Sequence, residues 1–171
     1  MPPPKTTAAE PISALYRLIF LYLEPFFAFS GAIQVLVAPL TCIAISHPAL
    51  HAYLATNPAD LPLFQSQFTT IAGGWLLLAL NDIITLRAFR RQPRVWWYVM
   101  LVHLVSDAVY TFSLYQDGRL QGHGLGRFVD VRTWDSNEWV TNVLTFPFTA
   151  AKIAFLLGLG LDFQVEGKVK L

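Results

Sequence analysis

The third of four long apolar stretches limits the fold more than any other part of the sequence. Residues 95–115 form a nearly continuous apolar run, and about 20 such residues suffice to cross a bilayer as an α-helix. The run nevertheless contains His103 and Asp107, which lie four positions apart and therefore leave one face of a helix. Because ionisable groups at membrane depth face protein or a wet cavity, this helix requires polar partners on other helices.

Three further runs, at residues 14–38, 66–86 and 138–161, are also long enough to cross a membrane. Only 13% of the chain is charged, about half of the roughly 25% found in soluble domains. We therefore predict an all-α fold, a four-helix transmembrane bundle embedded in the lipid bilayer.

The bundle is predicted to form a single domain over residues 14–163. The N-terminal segment 1–13 is rich in Pro, Thr and Ala, which predicts a disordered tail, and residues 164–171 form a soluble C-terminal tail. A net charge of +1 provides no basic face for nucleic acid. Cys42 is the single cysteine, which excludes an internal disulfide and a Cys-based metal site. The oligomeric state stays open.

The distribution of Lys and Arg predicts the orientation of the bundle. Eight of them, including the four in residues 87–94, would lie on one side with both termini, and three would lie on the other. The positive-inside rule then places both termini in the cytosol.

Local features refine this prediction. Pro25 removes a backbone donor inside the first span and predicts a kink beside Glu24. Three prolines predict a loop over residues 47–62. Gly73 and Gly74 are expected to let another helix approach closely, and the aromatic residues 96–98 are expected to lie in the headgroup layer.

Each of the four spans carries an ionisable group at a similar predicted depth. At 1.5 Å per residue, these groups lie roughly 8–18 Å from the same membrane surface. The five residues are Glu24, Asp82, His103, Asp107 and Lys152. We expect Lys152 to pair with Glu24 and Asp107, because an unpaired ammonium at this depth costs at least roughly 2.5 to 3.5 kcal/mol.

The excess of three acidic residues over one Lys in the spans also predicts acid–base catalysis. Burial and mutual repulsion disfavour several ionised carboxyls in one place, so at least one should hold a proton at neutral pH. Carboxyl groups in different protonation states form acid and base pairs. The predicted catalytic residues are Glu24, Asp82, His103 and Asp107, and the alternative is polar packing between helices.

The residues predicted to contact a substrate lie on the same polar or aromatic faces, and ring faces stabilise a developing cation. They are Trp75, Asn81, Tyr110, Asn142 and Lys152, and Phe112, Phe146 and Phe148 are further aromatic candidates. The acids and His103 have the ligand types of a metal site. We predict no metal and no cofactor, because the spans contain only one His.

Several segments resemble a fungal family of short four-helix integral membrane proteins, over about residues 15–161. They are LYLEP at 21–25, LALNDIITLR at 78–87, RVWWYVMLVHLVSDAVYTFSLY at 94–115, TWDSNEW at 133–139 and KIAFLLGLG at 152–160. In that family an acid follows the Asn, as Asp82 does here, and a basic residue precedes IAFL, as Lys152 does here. Tyr110 stands where the family often has a His. The resemblance implies the four-helix membrane fold.

In architecture and residue types the chain is also similar to the sterol-isomerase and sigma-2-receptor group of endoplasmic reticulum proteins, and to fungal membrane terpene cyclases. This resemblance implies an enzyme of secondary metabolism or lipid metabolism in the endoplasmic reticulum membrane. It would perform cyclase- or isomerase-type acid–base chemistry on a lipophilic small molecule such as a terpenoid.

Two other classes of function stay open. A non-catalytic membrane protein would use the same pocket to bind a lipid or sterol, or would scaffold pathway enzymes. A proton-coupled transporter would use the acids and His103 as a relay, although no internal repeat of the kind found in transporters is visible.

Overall fold

Every regular element in the described part of the chain is a helix. The computed structural model describes residues 11–132 and 134–161, except for the side chain of Arg127. In chain order the helices are α1 (Ala14–Val37), α2 (Pro39–Ser46), α3 (Pro48–Thr56), α4 (Pro58–Leu86), α5 (Pro93–Leu120), α6 (Gly126–Val129) and α7 (Ser136–Leu156).

Four of these helices, α1, α4, α5 and α7, are long and apolar enough to cross a membrane. The prediction of an all-α fold with four such helices is confirmed. Helix α1 packs against α4, and α5 packs against α7. Helix α2 contacts α7, where Asn137 and Thr141 donate hydrogen bonds to carbonyl groups at the end of α2.

The distribution of polar side chains is the reverse of that in a soluble protein. On α5, Val102, Val105 and Val109 are at least 60% exposed, whereas His103 is 1% exposed. Lys152 on α7 is equally buried. An apolar exterior around a charged interior is what a lipid environment requires, because hydrocarbon cannot satisfy polar groups.

The predicted loop over residues 47–62 is wrong. Helix α3 and a 3₁₀ turn at the start of α4 occupy this segment. Two of its prolines begin helices, since Pro48 and Pro58 are the first residues of α3 and α4, as Pro39 is of α2. The third, Pro62, lies inside the 3₁₀ turn. At the first helical position the missing N–H has no intrahelical acceptor in any case.

The predicted boundary of the N-terminal tail also requires correction. Residues 1–10 of that tail, and the C-terminal tail 164–171, lie outside the described residues. Ile12, however, is 1% exposed and forms an isolated antiparallel bridge with Leu161. Ser13 accepts a hydrogen bond from the backbone of Tyr16 and so caps α1. The ordered domain therefore includes residues 11–13.

The buried apolar side chains form two clusters, one toward each end of the bundle. The first contains Tyr16 and Phe20 of α1, Trp96 of α5 and Phe155 of α7. The second contains residues of α1, α2, α3 and α4, among them Phe68. Along the long helices, the ionisable residues fall between these two apolar regions.

Trp96 faces the protein interior rather than the outside of the bundle, where a residue of an aromatic belt would lie. Its side chain is fully buried in the first cluster and donates a hydrogen bond to the Phe89 carbonyl at 3.2 Å. Trp97 and Tyr98 are exposed, at 40% and 65%. The aromatic run is thus divided between the protein core and the outer surface.

The close helix approach occurs at Gly31 rather than at the predicted glycines. A Cβ atom on Gly31 would lie 2.8 Å from the ring of Trp75, so α1 and α4 touch at this point. A Cβ atom on Gly73 or Gly74 would meet nothing within 4 Å. The prediction for those two positions is wrong, because they face away from the packed side of α4.

We expect Gly31→Ala to destabilise the protein by about 1–3 kcal/mol, the usual cost of overpacking. Gly73→Ala is the matched control, and should be neutral or stabilising by up to about 1 kcal/mol because Ala favours the helix. Thermal unfolding of both variants in the same detergent tests this. Equal stability of the two variants would contradict the assigned contact.

Candidate functional site: a buried ionic cluster beside a chamber

Lys152 joins three helices through two carboxylates. Its Nζ atom lies 2.5 Å from Oε1 of Glu24 on α1 and 2.7 Å from Oδ2 of Asp107 on α5. Lys152 is 1% exposed. The prediction that it pairs with these two acids is confirmed, and snorkelling toward the membrane surface does not occur.

A second group of polar side chains lies behind Glu24. His103 stands between two acids, with its Nδ1 atom 3.8 Å from Oε1 of Glu24 and its Nε2 atom 3.6 Å from Oδ1 of Asp82. The side-chain amide of Asn81 lies 3.4 Å from Nε2 of His103. Thr85 donates a hydrogen bond to Asn81 at 2.9 Å and fixes the amide.

Together these residues form one connected set, which we call the ionic cluster: Glu24, Asp82, His103, Asp107 and Lys152. The predicted convergence of ionisable groups from all four spans is therefore confirmed. Thr149 of α7 also belongs to this region, because it donates a hydrogen bond of 3.1 Å to the oxygen of Asp107 that Lys152 contacts.

Two π-helical turns position the acids of α1 and α4. Residues Ile19–Leu23 form the first, and the N–H of Glu24 bonds the carbonyl of Ile19, five residues earlier. The second, Asp82–Leu86, begins at Asp82 itself, and the two turns pack against each other. Pro25 follows the first turn, and the wider π geometry accommodates a residue that has no N–H to donate. The irregularity predicted at Pro25 is therefore a π turn that precedes it.

Several polar atoms of the ionic cluster lack hydrogen-bond partners among the described residues. They are both carboxylate oxygens of Asp82, Oε2 of Glu24 and Nδ1 of His103. Asp82 is fully buried. Such atoms are rare in native proteins and indicate an ion, a water molecule or a catalytic role.

The cluster borders a mostly apolar chamber of about 240 Å³. Glu24, Asp107 and Lys152 lie in its wall, whereas Asp82 and His103 are not among its lining residues. Trp75 and Tyr110 form another part of the wall, with ring centroids 6.4 Å apart. The chamber therefore contacts one end of the cluster, and Asp82 lies at the other end.

The remaining predicted substrate contacts divide into two groups. Trp75, Tyr110 and Lys152 line the chamber, and so does Phe148. Asn81 contacts His103 instead. Asn142 is buried but does not line the chamber.

Two further aromatic candidates also lie elsewhere. Phe112 is 56% exposed and does not line the chamber. Phe146 packs near Phe128 and Trp134.

The sequence did not indicate part of the chamber wall. Cys42 and Ser46 of α2 line it, together with Thr141 and Thr145 of α7. Cys42 and Ser46 lie in a segment that was not predicted to be helical. Thr141 and Thr145 lie four residues apart, so their spacing could have indicated a shared polar face on α7.

A second cavity, of about 540 Å³, lies on the other side of Asp107. Asp107 and Thr149 belong to its wall, together with apolar residues of α5. Leu125 and Phe128, from the segment between α5 and α7, also border it. Asp107 thus separates the chamber from an apolar cavity between α5 and α7.

The fold and the site define a membrane protein of four candidate spanning helices with a buried ionic cluster beside a lipophilic chamber. Residues 9–162 match a family described as a domain of unknown function (DUF7704), and the chain belongs to this family. Searches of curated proteins and of solved structures gave no match.

We expect Lys152→Met to destabilise the protein by about 3–5 kcal/mol, because the change breaks a largely buried ion pair and leaves two half-buried carboxylates without their cation. The double variant with Asp107→Asn should recover part of this loss, since it removes one of the stranded charges. Thermal unfolding in detergent measures both effects.

The control for charge removal is Arg87→Met. Arg87 is exposed over the Tyr22 ring, 5.3 Å from its centroid, and its loss should cost at most about 1 kcal/mol. If Lys152→Met were no more destabilising than this control, the buried ion pair would not hold the helices together.

Proposed function

We propose that this protein is a membrane enzyme that transfers protons to and from a lipophilic substrate in the chamber, as in a double-bond isomerisation or a cyclisation. The observation that carries the proposal is the buried row Asp82–His103–Glu24, which ends at an apolar chamber. A row of titratable groups with one end at a binding cavity suits general acid–base catalysis.

Each member of the cluster has a proposed role. Glu24 and Asp107 reach the chamber and exchange a proton with the substrate. His103 exchanges protons between Glu24 and Asp82. Their carboxylate oxygens lie 3.8 and 3.6 Å from the imidazole nitrogens, and small movements would shorten both distances to hydrogen-bond length. Lys152 is a positioning residue that holds both chamber carboxylates in place.

The chamber favours a small, largely hydrocarbon substrate. Its volume of about 240 Å³ is below the roughly 300–1,000 Å³ of sites for drug-sized ligands. It suits a small terpenoid or the reacting end of a longer lipid. The rings of Trp75 and Tyr110 offer faces to a developing positive charge. With both carboxyls ionised, Glu24, Lys152 and Asp107 together carry a net charge of −1. This negative charge would also stabilise a positive charge that develops on the substrate.

The test is product formation by cells that express the protein in place of its deleted gene. If a proton passes through Glu24, then Glu24→Gln should lower product formation by about 10²–10⁴-fold, the usual contribution of acid–base catalysis. Asp82→Asn, His103→Gln and Asp107→Asn should each lower it as well. Asp60→Asn is the matched control, because Asp60 bonds Tyr53 on the surface and should leave product formation unchanged.

Accumulation of an unprocessed precursor in the Glu24→Gln and Asp107→Asn strains would support catalysis. Equal product formation by the wild type and all four cluster variants would refute the proposal, provided that membrane extracts contain equal amounts of each protein.

A second candidate is a non-catalytic protein that binds a lipid or sterol in the chamber or scaffolds pathway enzymes. One observation favours it: Lys152 already pairs with both chamber carboxylates, as in a purely structural network. On this alternative, Asp107→Asn should restore the metabolite profile of a deletion strain, whereas a blocked chamber should not.

We further propose that the protein resides in the endoplasmic reticulum membrane with both termini in the cytosol. The four arginines that support this orientation, at positions 87, 90, 91 and 94, are exposed in the link from α4 to α5 and in the first turn of α5. Lys5, Lys168 and Lys170, which contribute to the same count, lie outside the described residues.

Single-cysteine labelling tests the orientation, starting from Cys42→Ala, which removes the single cysteine. In sealed microsomes, an impermeant maleimide should label Arg91→Cys and should label Ala55→Cys only after detergent is added. Residue 55 lies on an exposed part of α3, toward the opposite end of the bundle. The reverse labelling pattern would overturn the proposed orientation.

A further inference from the structure

We propose that Glu24, Asp82 and His103 bind one divalent transition-metal ion. One ligand atom from each residue lies within 4.8 Å of the other two. Metal–ligand bonds to His and carboxylates measure about 2.0–2.2 Å, so two ligands of one ion lie at most about 4.4 Å apart. Shifts of a few tenths of an ångström in three side chains would complete the coordination.

The polar atoms of these residues support a cation. Both oxygens of Asp82 are buried without a hydrogen-bond partner among the described residues, as are Oε2 of Glu24 and Nδ1 of His103. Asp82 is 0% exposed and His103 is 1% exposed. Each unsatisfied buried group destabilises the folded protein unless a partner is supplied. A single cation would accept lone pairs from all three residues at once.

The charge of the ionic cluster also matches a divalent ion. Metal binding requires deprotonated ligands, and the three carboxylates and one ammonium then carry a net charge of −2 when His103 is neutral. Buried net charge is costly, and one divalent ion brings the sum to zero. Of the cluster's charged groups, Lys152 alone is positive without titration of His103.

Lys152 does not occupy the proposed site. Its Nζ atom contacts Oε1 of Glu24 and leaves Oε2 available. Asp107, which also accepts from Thr149, holds the ammonium from the other side. Lys152 therefore belongs to the chamber end of the cluster, and Asp82 and His103 lie on the far side of Glu24 from the chamber.

The ligand set selects the kind of ion. One imidazole with two carboxylates suits Mn²⁺, Fe²⁺ or Zn²⁺, whereas Ca²⁺ takes six to eight oxygen ligands. Asn81, which is fixed by Thr85, contacts Nε2 of His103 and orients the ring. The sequence analysis predicted no metal because the spans contain only one His. In the structure, the carboxylates of Glu24 and Asp82 supply the other two ligands.

This inference does not rest on the proposed reaction. A cation at this point would hold Glu24 against the chamber wall whatever the chamber binds, and its binding can be measured without any substrate. A bound ion would replace the proton relay through His103, because an imidazole that binds the ion cannot also pass protons between Glu24 and Asp82. Failure to bind metal would leave the relay proposal standing, and loss of catalysis would leave the metal site standing.

The experiment uses the full chain, purified in detergent, stripped with a chelator and titrated with Mn²⁺ under electron paramagnetic resonance. We expect one tightly bound Mn²⁺ per chain, displaced by Zn²⁺. Asp82→Asn and His103→Gln should each weaken binding by about 100-fold or more. Asp60→Asn and His51→Gln are matched controls on residues outside the cluster and should bind as the wild type does.

A second measurement needs only the wild type, in case the ligand variants do not fold. Spin-echo modulation from bound Mn²⁺ should show one coordinated imidazole nitrogen. Binding that neither ligand variant weakens would overturn the inference. So would the absence of a nitrogen signal, or the absence of Mn²⁺ binding by the folded wild type, which would leave water molecules as the partners of the unsatisfied atoms.

Discussion

The contact of Lys152 with Glu24 and Asp107 is the interaction on which the rest of the structure depends. It joins α1, α5 and α7 inside the bundle, where the Lys152 ammonium is almost fully buried and depends on the two carboxylates for its stability. A bundle in lipid gains little from the hydrophobic effect between helices. Charged groups that must meet therefore fix which helices are neighbours and how far each is rotated.

The same contact divides the interior. On one side the acids and the ammonium face a chamber with aromatic walls, and on the other side His103 and Asp82 are enclosed by protein. The π turns beside Glu24 and at Asp82 bring these residues of α1 and α4 to one level. Irregular helical turns of this kind concentrate at functional sites. The polar interior thus has an accessible end and a closed end, which is the geometry that proton transfer and ion binding each require.

The family match and the geometry answer different questions. The match over residues 9–162 shows that the chain belongs to a family described by its unknown function, and it assigns no activity to any residue. The chemical arguments come from the site alone. They depend on two features of the described residues: unsatisfied polar atoms at Asp82 and His103, and a chamber that only Glu24, Asp107 and Lys152 of the ionic cluster reach.

The sequence by itself determined the four long helices and the meeting of their ionisable residues, because hydrocarbon tolerates neither irregular backbone nor an unpaired ammonium such as that of Lys152. Only the tertiary structure decided which groups touch. It placed Gly31 rather than Gly73 at the close helix contact, buried Trp96, and formed helices from a segment whose prolines suggested a loop. Apolar periodicity does not separate a lipid-facing side chain from a buried one, since both are apolar. The rotation of each helix, and with it the chamber wall contributed by α2, therefore follows from packing between helices.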